Sequence, residues 1–376
     1  MDTLVIAFTV ASAVLWCGIL LVPWRPWRAE PVLDADPAVE HGPLSSVAAL
    51  IPARNEALVL EQSLSALNAQ GTGLRVIVVD DQSADGTAAI AQAAGATVIS
   101  GRPVPSGWSG KLWALEQGRR YARAEYLLLL DADIALAPGI LNALLAKMRR
   151  ERIVFASVVP ELRLDGFWEK LLMPAFIYFF KLLYPFNLSN LPGSRIAAAS
   201  GGCILLETRA LEAIGGFGTL KNALIDDCGL ANRIKSQGHR TWIGLTHSAR
   251  SLRAYTRLAQ IWAMVERTAF TQLNCSMGCL LACTAIMAMA FWIPVAGAFH
   301  PNSIAQGSAL AAFVAMSLSY VPTLRFYGRS VGWVFAMPII GTLYLAMTWT
   351  SAMRYARGER ARWKDRVYET KPRHAP

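Results

Sequence analysis

Tyr126-Leu-Leu-Leu-Leu-Asp-Ala-Asp133 decides the fold: an unbroken apolar run of strand length ends on two aspartates. A strand that is apolar at every position is buried on both faces, as in a parallel sheet covered by helices; a half-exposed hairpin would alternate. The surrounding sequence repeats this arrangement. Upstream, Val47–Ile51 is a short apolar run, followed by a helical stretch from Glu56 to Gln70 whose Leu58, Leu60, Leu64 and Leu67 share one face. Leu74–Val79 is β-branched and stops at Asp80-Asp81; Thr87–Ala94 is helical, Ala96–Ile99 a strand, and Lys111–Arg123 helical again. Downstream, Pro138 is expected in the first turn of another helix, where its missing N–H costs nothing. Strand and helix in strict alternation predict an α/β class domain with a mostly parallel sheet.

In such sheets ligands bind beyond the carboxyl ends of the strands. Three ends carry polar sets: Pro52-Ala-Arg54-Asn-Glu56, Asp80-Asp81-Gln-Ser83 and Asp131-Ala-Asp133. A single acid there is accounted for as a helix cap or turn former. Three sets on one edge point to a ligand. Asp131 and Asp133, at i and i+2, are spaced as the end of an extended strand presents them. Two such carboxylates suit a hard divalent cation, Mg2+ or Mn2+, that keeps its waters and bridges phosphate oxygens. With a nucleotide diphosphate as leaving group, the metal stabilises the charge that develops. Asp80 and Asp81 are placed to hydrogen-bond a base or ribose.

Further on, Asp226-Asp227 precedes a helical stretch over Leu230–Gln237. Carboxylates at a helix start are favoured by the helix dipole. The functional alternative is a general base that takes a proton from an acceptor hydroxyl. Between the two acidic pairs lies Ala198-Ala-Ser-Gly201-Gly202-Cys203, small enough for backbone to approach a ligand.

Several chemistries are excluded. No G-x-G-x-x-G follows the first strand, and no G-x-S-x-G occurs within residues 46–273; the one match in the chain, Gly328-Arg-Ser-Val-Gly332, joins two hydrophobic stretches instead of a strand and a helix. Gly107-Trp-Ser-Gly-Lys111 lacks both the leading glycine of a P-loop (Pro105 stands there) and its hydroxyl (Leu112 stands there). Lys111 is instead expected on a basic loop beside the acidic edge, suited to a diphosphate. Cys275, Cys279 and Cys283 recur every four residues as a packing stripe, and the five histidines are scattered.

The whole chain has 376 residues, 54% hydrophobic and only 16% charged, with net charge +10. A soluble globular chain runs nearer roughly 45–50% apolar and 25% charged. The surplus sits at the ends. Residues 3–23 carry no charge and are long enough to cross a hydrocarbon core, which takes about 20 helical residues. No positive segment precedes them, and Trp24-Arg-Pro-Trp-Arg28 follows as an interfacial belt, so an uncleaved transmembrane anchor is preferred to a signal peptide. Residues 275–353 offer three more hydrophobic helices, and a basic tail covers 354–376. A cytoplasmic catalytic domain with three C-terminal crossings would leave that tail outside, against the positive-inside rule; the number of crossings is therefore left open, a re-entrant or surface-lying helix being the alternative to a third crossing. Phe167–Tyr184 is apolar but interrupted by Glu169, Lys170, Pro174 and Lys181, which fits an interfacial helix, with a buried core helix as the alternative. The basic residues concentrate near the membrane ends, where anionic lipid headgroups suit them; no nucleic-acid groove is indicated.

The set Pro52-Ala-Arg-Asn-Glu56, Val78-Val-Asp-Asp-Gln-Ser-Ala-Asp-Gly-Thr87, Asp131-Ala-Asp133, Gly201-Gly-Cys203, Gly215-Gly-Phe217 and Asp226-Asp227 resembles the family 2 glycosyltransferases, across residues 46–273. The layout is similar to the ceramide-glucosyltransferase-like branch. Gly107–Trp113, Phe167–Leu172, Leu183–Phe186, Ala223–Cys228 and Pro322–Gly328 further resemble the hopene-associated glycosyltransferases.

The resemblance implies a GT-A nucleotide-sugar domain with transmembrane helices at both ends. It implies that Arg54, Glu56, Asp80 and Asp81 hold the nucleotide, that Asp131 and Asp133 hold the metal, and that Asp227 is the base of a single inverting displacement. Pro52 and Lys111 join the nucleotide-sugar site, and Gly201, Gly202 and Asp226 the acceptor side. The Gln/Arg-x-x-Arg-Trp motif of processive members is reduced here to Met264-Val-Glu-Arg267-Thr268. Arg267 is thus expected to meet the diphosphate, without processive synthesis.

The expected activity is transfer of a sugar, from a UDP-sugar by family habit, to a lipid hydroxyl in hopanoid biosynthesis at a bacterial inner membrane. The alternatives are a polyprenyl-phosphate acceptor and a non-catalytic membrane scaffold for lipid-biosynthesis enzymes.

Overall fold

The computed structural model describes residues 2–36, 42–221, 223, 225–358, 362–363 and 366–367; most of the basic tail lies outside the described residues. The chain forms two units. One comprises Met1–Ala29, Leu164–Pro185 and Tyr255–Ala361, the other Glu30–Arg163, Phe186–Ala254 and Arg362–Pro376.

The second unit is built on eight strands: β1 Val47–Ala53, β2 Arg75–Asp80, β3 Thr97–Ser100, β4 Tyr126–Leu130, β5 Ile134–Leu136, β6 Phe155–Glu161, β7 Cys203–Glu207 and β8 Thr241–Ser251. Their order across the sheet is β3-β2-β1-β4-β7-β6-β8-β5. The first four run parallel, and β7 enters antiparallel to both β4 and β6. Because β8 is parallel to β6, it shares the direction of β4. One edge therefore gathers the carboxyl ends of β1, β2, β4 and β8 together with the start of β7.

Helices cover both faces, as the apolar strands require. β1 and β4 are buried throughout. One core places Leu60, Leu64, Leu141, Leu144 and Met148 against the sheet; the other places Leu112, Leu115, Leu230 and Ile234 there. The helix Gly110–Arg119 lies very close to the sheet: a Cβ at Gly118 would stand 2.2 Å from Leu50 Cδ1.

Two local expectations are corrected. Asp131 and Asp133 do not end an extended strand. β4 stops at Leu130, and the Ile134 N–H donates to Asp131 O at 3.1 Å, closing a turn that carries both acids. Pro138 is not in the first helical turn either; Gly139, at φ 91°, forms the N-cap of Ile140–Glu151. That left-handed conformation suits glycine, and it separates the proline from the helix.

The first unit consists of helices. Among the described residues four are long and apolar enough to cross a membrane: Asp2–Leu21, Met277–Gly297, Ser303–Phe326 and Val331–Ala356. Leu4, Phe8, Leu281, Ile286, Leu310 and Val314 are exposed on them. Their inner faces pack tightly. Trp16 is buried and its Nε1–H donates to Ala290 O at 2.7 Å, while a Cβ at Gly297 would stand 2.6 Å from Thr9 Cγ2. The helix Phe167–Leu183 belongs to this unit, with Tyr178 Oη 2.6 Å from Ser319 Oγ and Tyr344 Oη donating to Leu172 O at 2.8 Å.

Candidate active site

β1 ends in Pro52-Ala53, and the chain then turns through Asn55, at φ 52°, into the helix Ala57–Asn68. The turn is fastened to the segment after β2: Asn55 N–H donates to Ser83 Oγ at 3.0 Å, and Ala84 N–H to Asn55 Oδ1 at 2.9 Å. Arg54 reaches the same segment, donating to Asp81 O and lying 3.8 Å from Asp81 Oδ2. Pro52, Arg54, Glu56, Asp80 and Asp81 are thus brought onto two adjacent strand ends. Asp81 is buried, and Asp80 keeps its Oδ1 buried with no hydrogen-bond partner. A buried unpartnered carboxylate oxygen is costly, and a ligand N–H or O–H would satisfy it.

Beside them the turn after β4 presents Asp131 and Asp133. Lys111, in the first turn of Gly110–Arg119, places Nζ 2.6 Å from Asp131 Oδ1. Asp133 meets a residue that the sequence analysis missed. Arg253, two residues beyond β8, puts Nε 2.7 Å from Asp133 Oδ2 and Nη2 2.8 Å from Glu56 Oε1. It was hidden because β8 includes exposed His247 and Arg250, so it does not read as a buried strand arriving at the ligand edge.

Gly201 and Gly202 form the turn before β7. A Cβ at Gly202 would stand 2.8 Å from Pro160 Cγ, and one at Gly201 would stand 3.1 Å from Lys111 Nζ. Gly201 N–H donates to Asp227 Oδ2 at 2.8 Å, and Cys228 N–H donates to Asp227 Oδ1 at 2.7 Å. Asp226 and Asp227 begin the helix Asp226–Ser236. Burial, then the neighbouring Asp226, pushes the Asp227 carboxyl up to about 6, against the Cys228 N–H, Lys111 and the Gly201 N–H. Burial works against the charge of Lys111, but Asp131, Asp226 and Asp227 outweigh it, so its ammonium is held more firmly than usual. Burial likewise raises Asp131, with Lys111 opposing.

A second missed residue is Glu116, buried on the Lys111 helix. It pairs with Arg119 at 2.7 Å and accepts the Phe217 N–H at 3.2 Å, fixing the Gly215-Gly-Phe217 turn. Arg267 lies in the other unit, as the C-cap of Leu258–Glu266.

Among the described residues no group of three or more His, Cys, Asp and Glu side chains could hold a metal by itself. The two-carboxylate, oxygen-only set of Asp131 and Asp133 does fit Mg2+ or Mn2+, which bind through one or two carboxylates completed by phosphate oxygens and water.

The glycosyltransferase family 2 model matches residues 48–215. Residues 48–215 form a family 2 glycosyltransferase domain. The chain is 36% identical over 107 residues to a 4,4'-diaponeurosporenoate glycosyltransferase of Staphylococcus haemolyticus (strain JCSC1435), covering 28% of each chain. It is 37% identical over 133 residues to the same-named protein of Staphylococcus aureus (strain bovine RF122 / ET3-1), covering 35% of this chain and 32% of that one. The matches thus span about a third or less of these relatives' length. A mannosyltransferase from Pyrobaculum calidifontis, solved with GDP-Man and Mn2+, shares the fold, with TM-score 0.53 and 19% identity over 93% of this chain and 99% of that one. The sheet, the flanking helices and this likeness make the domain a GT-A fold, in a chain with apolar helices at both ends.

Proposed function

We propose that the chain transfers a sugar from a nucleotide diphosphate to a lipid acceptor at the membrane. The observation that carries this reading is the single sheet edge on which Arg54, Asp80, Asp81, Asp131 and Asp133 converge, with Lys111 between Asp131 and Asp227. The orphan oxygen of Asp80 supports a base or ribose contact, and Arg54 and Lys111 supply positive charge for the diphosphate. When bound, a divalent cation on Asp131 and Asp133 would neutralise charge on the departing nucleoside diphosphate. The Pyrobaculum protein's GDP-Man and Mn2+ support a nucleotide-sugar and a metal of this kind. The family resemblance favours UDP.

Asp227 acts as general base. Its raised proton affinity suits it to accept the acceptor hydroxyl proton near neutral pH. The hydroxyl oxygen then bonds to the anomeric carbon as the bond from that carbon to the diphosphate breaks. One displacement inverts the centre.

The acceptor is a lipid because the same chain carries four apolar helices and because the curated relatives are named for 4,4'-diaponeurosporenoate. A hopanoid hydroxyl is the finer reading, with the domain on the cytoplasmic side of a bacterial inner membrane and Phe167–Tyr184 lying at the membrane interface. The relatives' name also favours a second class, an acceptor already ionised, such as a carboxylate or polyprenyl phosphate, for which no base is required.

The test incubates membranes containing the protein with radiolabelled UDP- and GDP-sugars and lipid extract, and counts label in the organic phase. Label transferred by the wild type and not by Asp133→Ala is expected. A wild type that labels no lipid with any donor, while remaining folded, refutes the reading and favours the scaffold.

A further inference from the structure

Each carboxylate of the expected metal pair is already ion-paired within the chain, and each to a different cation. Lys111 Nζ lies 2.6 Å from Asp131 Oδ1, and Arg253 Nε lies 2.7 Å from Asp133 Oδ2. Contacts this short are charge-assisted and place a positive charge on one oxygen of each carboxylate, where a divalent cation would be repelled. Both partners are well rooted. Lys111 stands in the first turn of a helix packed hard on the sheet, and the Leu252 N–H beside Arg253 donates to Asp133 O at 2.7 Å. The Arg253 fork also holds Glu56, so moving it releases two carboxylates at once.

Charge then sets the order of events. Lys111 and Arg253 stand at contact distance from the two aspartates, among further acids (Glu56 on the arginine, Asp226 and Asp227 near the lysine), so a divalent cation alone would have to bind directly beside both of these positive charges. A sugar diphosphate supplies anionic oxygens to which the lysine and the guanidinium can move. We propose that Lys111 and Arg253 are internal counter-cations of the Asp131–Asp133 pair, which yields to a divalent cation only when a nucleotide diphosphate draws them away. Cation and nucleotide then bind as a unit, each strengthening the other by the same factor. The inference rests on the nucleotide-sugar reading and adds Arg253 to the site as a positioning residue.

The test is Mn2+ binding to the full chain in detergent micelles, followed by loss of the free-ion electron paramagnetic resonance signal without nucleotide. Arg253→Gln and Lys111→Gln are each expected to bind Mn2+ alone at least fivefold more tightly than the wild type. Arg253→Lys, which keeps the charge, should stay within twofold of it. Circular dichroism and gel filtration select folded variants. Equal affinities in folded variants overturn the proposal. If neither glutamine variant folds, the wild type alone decides: Mn2+ affinity without nucleotide within threefold of that measured with UDP or GDP present also overturns it. Equilibrium dialysis of labelled UDP and GDP with Mn2+ separates the two levels. Tight Mn2+ binding alone, with nucleotide still retained, sinks only the counter-cation idea, whereas no retention of either nucleotide sinks the site reading with it.

Discussion

Replacing Asp227 by asparagine separates a catalytic carboxylate from a helix-capping one. Asp227 accepts the Gly201 N–H at 2.8 Å and the Cys228 N–H at 2.7 Å, one on each oxygen. Asparagine keeps one acceptor and turns the other into a donor facing a backbone N–H. The structural cost is one lost bond to a charged group, about 1.5–3 kcal/mol, visible as a melting point lowered by several degrees. The chemical cost is separate. A positioned base contributes about 10²–10⁴ in rate, or roughly 3–5 kcal/mol. The expected result is kcat reduced at least a hundredfold, with KM for the nucleotide-sugar within threefold, since no donor contact is removed. The wild-type pH profile supplies the second arm. The Asp227 carboxyl is raised to about 6, so it is protonated and idle below that pH. Activity should rise from pH 5 to pH 7 with an apparent midpoint near 6. The assay is initial-rate lipid labelling in a mixed-buffer series, with the melting point measured in parallel. A variant that keeps a fifth or more of wild-type kcat would refute the base assignment and favour an acceptor that is already ionised.

Asp80→Ala should weaken nucleotide binding at least tenfold by equilibrium dialysis while lowering the melting point only slightly, because Oδ1 has no partner to lose and Oδ2 holds only the long 3.4 Å bond from the Ser83 N–H. Glu116→Ala strands the buried Phe217 N–H and should cost about 1–3 kcal/mol in chemical denaturation. Gly118→Ala forces a methyl against Leu50 and Val79 and should cost a similar ~1–3 kcal/mol by overpacking; a melting point unchanged from wild type would show that the helix can lift off the sheet freely.

The sheet was legible because its central strands are apolar at every position, and burial on both faces leaves no other pattern. The three acidic strand ends were legible for the same reason, since a charge stands out where an apolar run stops. The turn at Asp131–Asp133 was not: spacing of i, i+2 is shared by strand and turn, and only the Ile134-to-Asp131 bond separates them. Arg253 was not legible because strand direction across the sheet depends on long-range pairing. A reversed β7 restores β8 to the direction of β4, which no local pattern records. Glu116 resembles any charge on a helix until the turn it holds is placed against it.

The burial of Trp16 changes how the first helix should be handled in the laboratory. A leash can be trimmed to make an enzyme water-soluble. This helix is instead keyed into its neighbours: its indole is bonded to Ala290 O, and Gly297 is small because Thr9 occupies the space a side chain would need. Cutting it away would leave Phe291, which packs edge-on against Trp16 at 5.5 Å, facing solvent or lipid. Preparations that keep residues 2–21 should therefore stay monodisperse in detergents where shortened ones aggregate.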